Sequence, residues 1–228
     1  MLGVVLFVLL RWCDILFFVK ESKTHKYVCH TIYYVSIYAW EITLLLEAPW
    51  FTNWSSVFQL TDEGDSSDLV LLLVIQTFWY IHSLFESLLL DQQRSDYAMM
   101  VVHHLLTILL IQGAYNINAH RLALLILVEQ DTADVLINIC KLLHKADVNR
   151  PTQTALMIIL NTAWWITRVL GLGMIIWYCF QYTFGHYALK SSLVLLLVMQ
   201  VMWGIGLFRI TRQYFHEGVV KDTLENKD

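Results

Sequence analysis

The sequence predicts an all-α integral membrane protein with seven transmembrane helices. The first observation is composition: of 228 residues, 57% are hydrophobic and 15% are charged, with a mean hydropathy of +0.55. Such a chain is too apolar for a soluble domain and far from disordered. The second observation is that the apolar residues fall into seven runs, each near the roughly 17 to 25 residues that a helix needs to cross a bilayer.

The seven runs define the predicted spans in chain order. They cover residues 1–19, 27–46, 68–90, 97–115, 120–143, 154–179 and 188–208. The first carries Arg11 and Asp14 and has no A-x-A-like cleavage site, so we expect an uncleaved anchor. Because there is no internal repeat or long linker, we predict three parts: an N-terminal anchor (1–19), one membrane domain (20–215) and a polar cytosolic tail (216–228).

Basic residues predict the orientation of the spans. Lys and Arg follow the first, third and fifth spans and recur in the C-terminal tail, whereas the loop at 47–67 carries acidic residues and no Lys or Arg. By the positive-inside rule, this loop is lumenal and the tail after Arg209 is cytosolic. Asn53-Trp54-Ser55 in the loop is a glycosylation sequon, a pattern of low specificity.

Four ionisable side chains at membrane depth form the predicted site. His103 and His104 lie in the fourth span, and Asp131 and Asp134 lie in the fifth. At 1.5 Å per residue, the histidines lie about 10 Å from the cytosolic face, Asp134 about 13 Å and Asp131 about 18 Å. Ionisable groups at such depth are costly and usually functional. We therefore predict that these four side chains act together.

Two further observations bear on the kind of site. His82 in the third span lies at a similar level and is a candidate member, although a single histidine in an apolar helix is more often structural. Two His and two Asp would also suit iron or zinc. The chain has far fewer histidines than the HxxxH and HxxHH clusters of membrane di-iron enzymes contain, so we expect neither a metal nor another cofactor.

The segment around the histidines resembles a known family. The matching positions lie in register without a gap: Asp91, Arg94, Asp96, Tyr97, His103, His104, Thr107, Tyr115, Asn118, Arg121, Asp131, Asp134 and Lys141. This pattern resembles the Lag motif of ceramide synthases, within the TLC-domain family. The resemblance implies a six-helix TLC-type bundle or barrel that encloses a cavity, with the first span as an additional helix. The sequence departs from the family pattern at Gln130, Asn138 and Ile81.

The resemblance also implies an activity, that of a sphingosine N-acyltransferase in the endoplasmic reticulum membrane. Such an enzyme joins a fatty acyl-coenzyme A to the amine of a sphingoid base, with a histidine as nucleophile or as general base. The implied residues are His103, His104, Asp131 and Asp134 for catalysis, and Asn118, Arg121 and Lys141 for substrate binding. From its depth in the third span, His82 is added as a candidate substrate-binding residue.

The expected partners are fatty acyl-coenzyme A as co-substrate, a sphingoid base and the lipid bilayer. A net charge of −4 gives no reason to expect nucleic acid, and the sequence leaves a homodimer or heterodimer open. Two other functions stay open as well: a non-catalytic TLC-domain lipid sensor or membrane factor, and a proton- or metal-coupled transporter.

Overall fold

Helices make up nearly all of the computed structural model, which describes residues 23–58, 67–182 and 186–217. The helices are α1 (Lys23–Glu47), α2 (Trp54–Val57), α3 (Ser67–Leu89), α4 (Tyr97–Asn116), α5 (His120–Lys145), α6 (Arg150–Ala163), α7 (Leu172–Gln181) and α8 (Tyr187–Glu217). A π-helical segment, Trp164–Gly171, joins α6 to α7 without a break. These residues contain no β-strand.

The predicted spans from the second onward coincide with these helices. Within the described ranges, four helices are long and apolar enough to cross a membrane: Ser67–Leu89, Tyr97–Asn116, Arg150–Gln181 and Tyr187–His216. This confirms an all-helical protein with several membrane-spanning candidates, while membrane crossing by α1 and α5 stays a prediction. The predicted anchor at 1–19 and nearly all of the predicted tail lie outside the described residues.

Helices α1 and α5 form the most extensive helix contact in the bundle, and polar groups are buried between them. Glu41 on α1, Gln76 on α3 and Asp131 on α5 are all fully buried. The Gln76 amide donates to Glu41 Oε1 at 2.6 Å and to Asp131 Oδ2 at 2.8 Å. Tyr33 donates to Gln76 Oε1 at 3.0 Å. Because these groups hydrogen-bond to one another, burying them costs less than burying each alone.

Helix α5 is the centre of the bundle. It packs against α1, α3, α4, α6, the π-helical segment and α7, and α8 packs against α4, α6 and α7. Large apolar side chains on the outside, such as Leu109, Leu170, Trp177 and Phe208, are more than half exposed. The outside of the bundle is therefore largely apolar, and the buried polar groups lie within it, away from lipid.

Short turns bring the helix ends together. Asn118 and Asp147, in the turns before and after α5, have φ values of 56° and 52°, a left-handed conformation that Asn and Asp tolerate better than most residues. Helix α6 begins at an Asn149 cap, whose side chain accepts from the Thr152 backbone N–H at 3.0 Å, and Pro151 lies in the first turn. As a result, the end of α5 and the start of α6 lie side by side.

Candidate active site

A cavity of about 730 Å³ occupies the end of the bundle where α1 begins and α5 ends. Charged side chains from the helix ends line its outer part: Lys26, Asp91, Arg94, Lys141 and Lys145. Polar and aromatic side chains from the helix interiors line its inner part: Tyr80, His103, His104, Asp134, Arg168 and Trp203. The cavity thus combines a charged mouth with a mixed polar and aromatic interior.

Both predicted histidines face this cavity from α4. The His103 ring lies between two aromatic rings, with centroid distances of 6.3 Å to Tyr80 and 5.2 Å to Trp203, both edge-to-face. His104 is buried, and its ring centroid lies 6.2 Å from that of Tyr80. The Nδ1 atoms of both histidines are buried without a hydrogen-bond partner among the described residues. Both residues line the cavity, so each imidazole is within reach of a substrate bound there.

The two predicted aspartates have different surroundings. Asp134 lines the cavity, and its Oδ1 lies 2.6 Å from Arg168 Nη2. Asp131 does not line the cavity and lies in the buried network with Gln76. Within the described residues, neither aspartate hydrogen-bonds to His103 or His104. The structure thus brings both histidines and Asp134 to one cavity and puts Asp131 behind its wall.

Of the four predicted substrate-binding residues, only Lys141 lines the cavity. Its Nζ lies 5.5 Å from the centroid of the Tyr27 ring. His82 is fully buried and stacks on Trp79 at 5.2 Å, outside the cavity lining. Asn118 and Arg121 lie at the opposite end of the bundle: Asn118 is exposed in the turn before α5, and Arg121 lies over the Trp50 ring at 5.8 Å.

The structure adds a charged cluster at the mouth that sequence reasoning missed. The buried Glu86 carboxylate lies 3.2 Å from Lys26 Nζ and 3.3 Å from His30 Nε2. Lys26 also contacts Asp91 at 2.9 Å. Lys26 was hidden among the basic residues that the positive-inside rule explains. Glu86 gave a signal, because it is a carboxylate in the third predicted span.

Arg168 is a second site residue that sequence reasoning left without a role. It lies in the π-helical segment, and such segments are frequent at functional sites. Its Nε and Nη2 donate to the Gln130 carbonyl oxygen at 3.1 and 2.7 Å, and its Nη1 donates to Gln200 Oε1 at 3.3 Å. A lone arginine in an apolar run was the signal that could have found it.

A second, largely apolar pocket of about 70 Å³ lies beside the cavity, toward the other end of the bundle. Tyr80 and His103 line both spaces. Its walls are formed mainly by aliphatic side chains of α4, α5 and α8, among them Leu110, Ala114, Leu127, Leu193 and Leu196, and Lys190 and His186 lie at its far end. His103 therefore stands where a polar cavity meets an apolar pocket.

Asp96 lines the cavity from the turn before α4 and is bound by Arg94 and Trp203. Arg94 Nε donates to Asp96 Oδ1 at 2.9 Å and Nη2 donates to Oδ2 at 3.1 Å. Trp203 Nε1 donates to the same Oδ2 at 3.2 Å. Burial raises the pKa of Asp96, but the hydrogen bonds and charge of Arg94 and the Trp203 hydrogen bond outweigh it and leave the pKa below its usual value. Asp96 is therefore an anion at neutral pH.

Comparison with known proteins identifies the family. The family model of the TLC domain matches residues 23–209, which is most of the chain. The chain belongs to the TLC-domain family. The matched region contains every described cavity-lining residue except Ile210.

Relatives of this TLC-domain protein include ceramide synthases. It is 31% identical to ceramide synthase hyl-2 of Caenorhabditis elegans over 175 residues, which cover 68% of this chain and 52% of the relative. It is 33% identical to ceramide synthase 4 of Bos taurus over 138 residues (57% and 35%) and 29% identical to human ceramide synthase 5 over 204 residues (82% and 50%). The chain spans about half the length of the curated relatives it matches.

The three positions at which this TLC domain departs from the Lag-motif pattern lie in different surroundings. Gln130 Oε1 accepts a hydrogen bond from Gln200 Nε2 at 2.7 Å, so this side chain belongs to the Arg168 network. Asn138 lines the cavity and donates to the Asp134 backbone carbonyl at 2.8 Å. Ile81 is half-buried on α3 and lines neither the cavity nor the pocket. Two of the three departures therefore lie beside Asp134 and Arg168.

Proposed function

We propose that this chain is a ceramide synthase-like N-acyltransferase that joins a fatty acyl-coenzyme A to the amine of a sphingoid base. Its similarity to several ceramide synthases supports this type of activity. The single observation that carries the proposal is the position of His103 where the charged cavity meets the apolar pocket. An acyl-coenzyme A has the same division, with polar coenzyme A on one side of the thioester and an apolar chain on the other.

The chemistry requires an imidazole beside the thioester. As a nucleophile, neutral His103 attacks the thioester carbonyl: a C–N bond forms, the C–S bond breaks, and coenzyme A leaves as a thiolate that takes up a proton. The sphingoid amine then attacks the acyl-imidazole and releases the imidazole. As a general base, His103 instead takes a proton from the ammonium; the free amine attacks the thioester carbonyl, an N–C bond forms, the C–S bond breaks, and coenzyme A leaves as a thiolate that takes up a proton. Both routes need the His103 imidazole close to the thioester and the amine.

The charged mouth suits the polar parts of the two substrates. Lys141 and Lys145 carry positive charge at the entrance, where coenzyme A phosphates would lie. Asp134 and Glu86 line the same cavity and can attract the ammonium of a sphingoid base, although each is already paired with a cation in the structure. We propose the endoplasmic reticulum membrane as the location and the cytosol as the side on which this mouth opens, since coenzyme A cannot enter lipid.

Amide formation by the purified protein tests the proposal. The protein is incubated in detergent with a long-chain acyl-coenzyme A and a long-chain sphingoid base, and the amide is detected by mass spectrometry. We expect His103→Ala and His104→Ala each to abolish the amide while the protein still elutes as a folded species. Failure of the wild type to form amide, or near wild-type synthesis by both variants, would contradict the proposed function.

A further inference from the structure

Trp203 connects the His103 ring to the loop before α4. Its indole meets the His103 ring at an interplanar angle of 85°, with a centroid distance of 5.2 Å. On the other side, its Nε1 donates to Asp96 Oδ2 at 3.2 Å. Trp203 and Asp96 are both buried, at 9% and 7% exposure. The indole therefore makes one hydrogen bond, to Asp96, and one edge-to-face ring contact, with His103.

Asp96 is itself held on two sides. Arg94 binds it through two parallel N–H···O contacts of 2.9 and 3.1 Å, a bidentate geometry that fixes the plane of the carboxylate. The Trp203 hydrogen bond uses the Oδ2 atom that Arg94 Nη2 also contacts. A carboxylate fixed in this way can in turn define the rotamer of a tryptophan.

His103 lacks the anchor that usually orients a catalytic imidazole. In Ser-His-Asp sites, a carboxylate accepts a hydrogen bond from the second ring nitrogen. Here Nδ1 of His103 has no hydrogen-bond partner within the described ranges, and the aspartates of α5 do not contact it. Instead, the ring packs edge-to-face against Tyr80 and Trp203.

We propose that Asp96 and Trp203 are positioning residues for His103: the Asp96 carboxylate fixes the Trp203 indole, and the indole fixes the imidazole. The kinetic consequence of this proposal rests on the proposed function, whereas its geometric consequence does not. Misplacing a reacting group by about 1 Å can reduce a rate about 10²-fold. Loss of the Asp96–Trp203 hydrogen bond should therefore slow the chemical step without weakening the binding of acyl-coenzyme A.

The first test is kinetic. Trp203→Phe keeps a ring beside His103 but removes the N–H donor, and we expect kcat to fall at least about tenfold with KM for acyl-coenzyme A nearly unchanged. Asp96→Ala should lower kcat similarly, and Asp96→Asn less, because its amide oxygen can still accept from the indole. Trp79→Phe is the matched control: Trp79 is fully buried and donates to Tyr34 Oη at 3.3 Å, away from His103. We expect it to retain kcat.

The double variant tests whether the two residues act through one contact. Asp96→Ala combined with Trp203→Phe should reduce kcat no more than either change alone, because both remove the same hydrogen bond. If the two losses multiply instead, Asp96 acts on the reaction independently of Trp203 and the proposal is overturned.

A chemical footprint tests the geometry without any activity. Diethyl pyrocarbonate modifies accessible imidazole nitrogens, and peptide mass spectrometry can follow His103 with His104 as an internal reference. We expect modification of His103 to quicken severalfold in Trp203→Phe and Asp96→Ala, but not in Trp79→Phe. An unchanged rate in both variants overturns the positioning proposal even if the enzyme is active. If the wild-type protein forms no amide but His103 is still modified faster in the two variants, only the proposed function is contradicted.

Discussion

Arg168 Nη2 lies 2.6 Å from Asp134 Oδ1 at the inner wall of the cavity. The Arg168 side chain is 5% exposed and the Asp134 side chain 21%. The guanidinium also donates twice to the carbonyl oxygen of Gln130, so its N–H groups are used within the bundle. Because a buried cation needs a nearby anion, the two side chains form one electrostatic unit between α5 and the π-helical segment.

Replacing one residue of the Arg168–Asp134 pair should destabilise the protein. Arg168→Met leaves the Asp134 carboxylate without its partner, and we expect a loss of about 3 to 5 kcal/mol in the free energy of unfolding. Asp134→Asn should also destabilise the protein, because it leaves the buried Arg168 guanidinium without an anion, although the amide oxygen can still accept a hydrogen bond. Thermal unfolding of the purified variants in detergent measures both changes.

The double variant supplies the control for this pair. Adding Asp134→Asn to Arg168→Met removes the unpaired charge, so the combined loss should be smaller than the sum of the two single losses. Simple additivity would show that the two groups do not stabilise each other.

Asp96 should make stability depend on pH in the acidic range. Its folded-state pKa lies below the value of about 3.9 expected for an unfolded Asp. Its contribution is therefore fully present above the unfolded pKa and is lost as pH falls through the folded pKa. We expect the difference in Tm between wild type and Asp96→Asn to be largest near neutral pH and to shrink in acid. A difference that stays constant across this range would contradict an ionised Asp96.

Sequence patterns predicted the helices well because lipid constrains them strongly. A backbone in lipid must satisfy its own hydrogen bonds, so long apolar runs become helices, and the described helices follow the predicted spans. His103 and His104 were likewise predictable, because two adjacent imidazoles in an apolar run have a high cost. Both line the cavity.

The partners of the aspartates could not be predicted in the same way. Residues three apart share a helix face, yet Asp131 meets Gln76 on α3, whereas Asp134 meets Arg168. Which neighbour each meets depends on the packing of three helices. The position of Arg168 also depends on the π-helical segment, whose wider turn shifts the helix face and gives no signal in an apolar sequence.

The orientation in the membrane is a separate prediction. The charge pattern makes the 47–67 loop lumenal and the tail after Arg209 cytosolic, which puts the charged mouth of the cavity on the cytosolic side. Glycosylation reporters inserted in the loop and at the C-terminus test this. We expect modification in the loop only, and modification of the C-terminal reporter would reverse the orientation.

The last prediction separates the two roles open to the imidazole. If His103 carries the acyl group, protein incubated with acyl-coenzyme A alone should release one equivalent of free coenzyme A and gain the mass of one acyl chain, because this half-reaction needs no amine. We expect His103 rather than His104 to be acylated, since His103 lines both the cavity and the apolar pocket, while His104 lines only the cavity. Intact mass spectrometry with peptide mapping measures this, and His103→Ala is the control.

General-base catalysis predicts a different result with the same protein. The imidazole then acts only when an amine is present, so no coenzyme A should appear until the sphingoid base is added. An unchanged protein mass without thiol release, in a preparation that forms amide when both substrates are supplied, would exclude the acyl-imidazole. His103, which lines both the cavity and the apolar pocket, would then be the base, and the rate of amide formation should fall as acid protonates its imidazole.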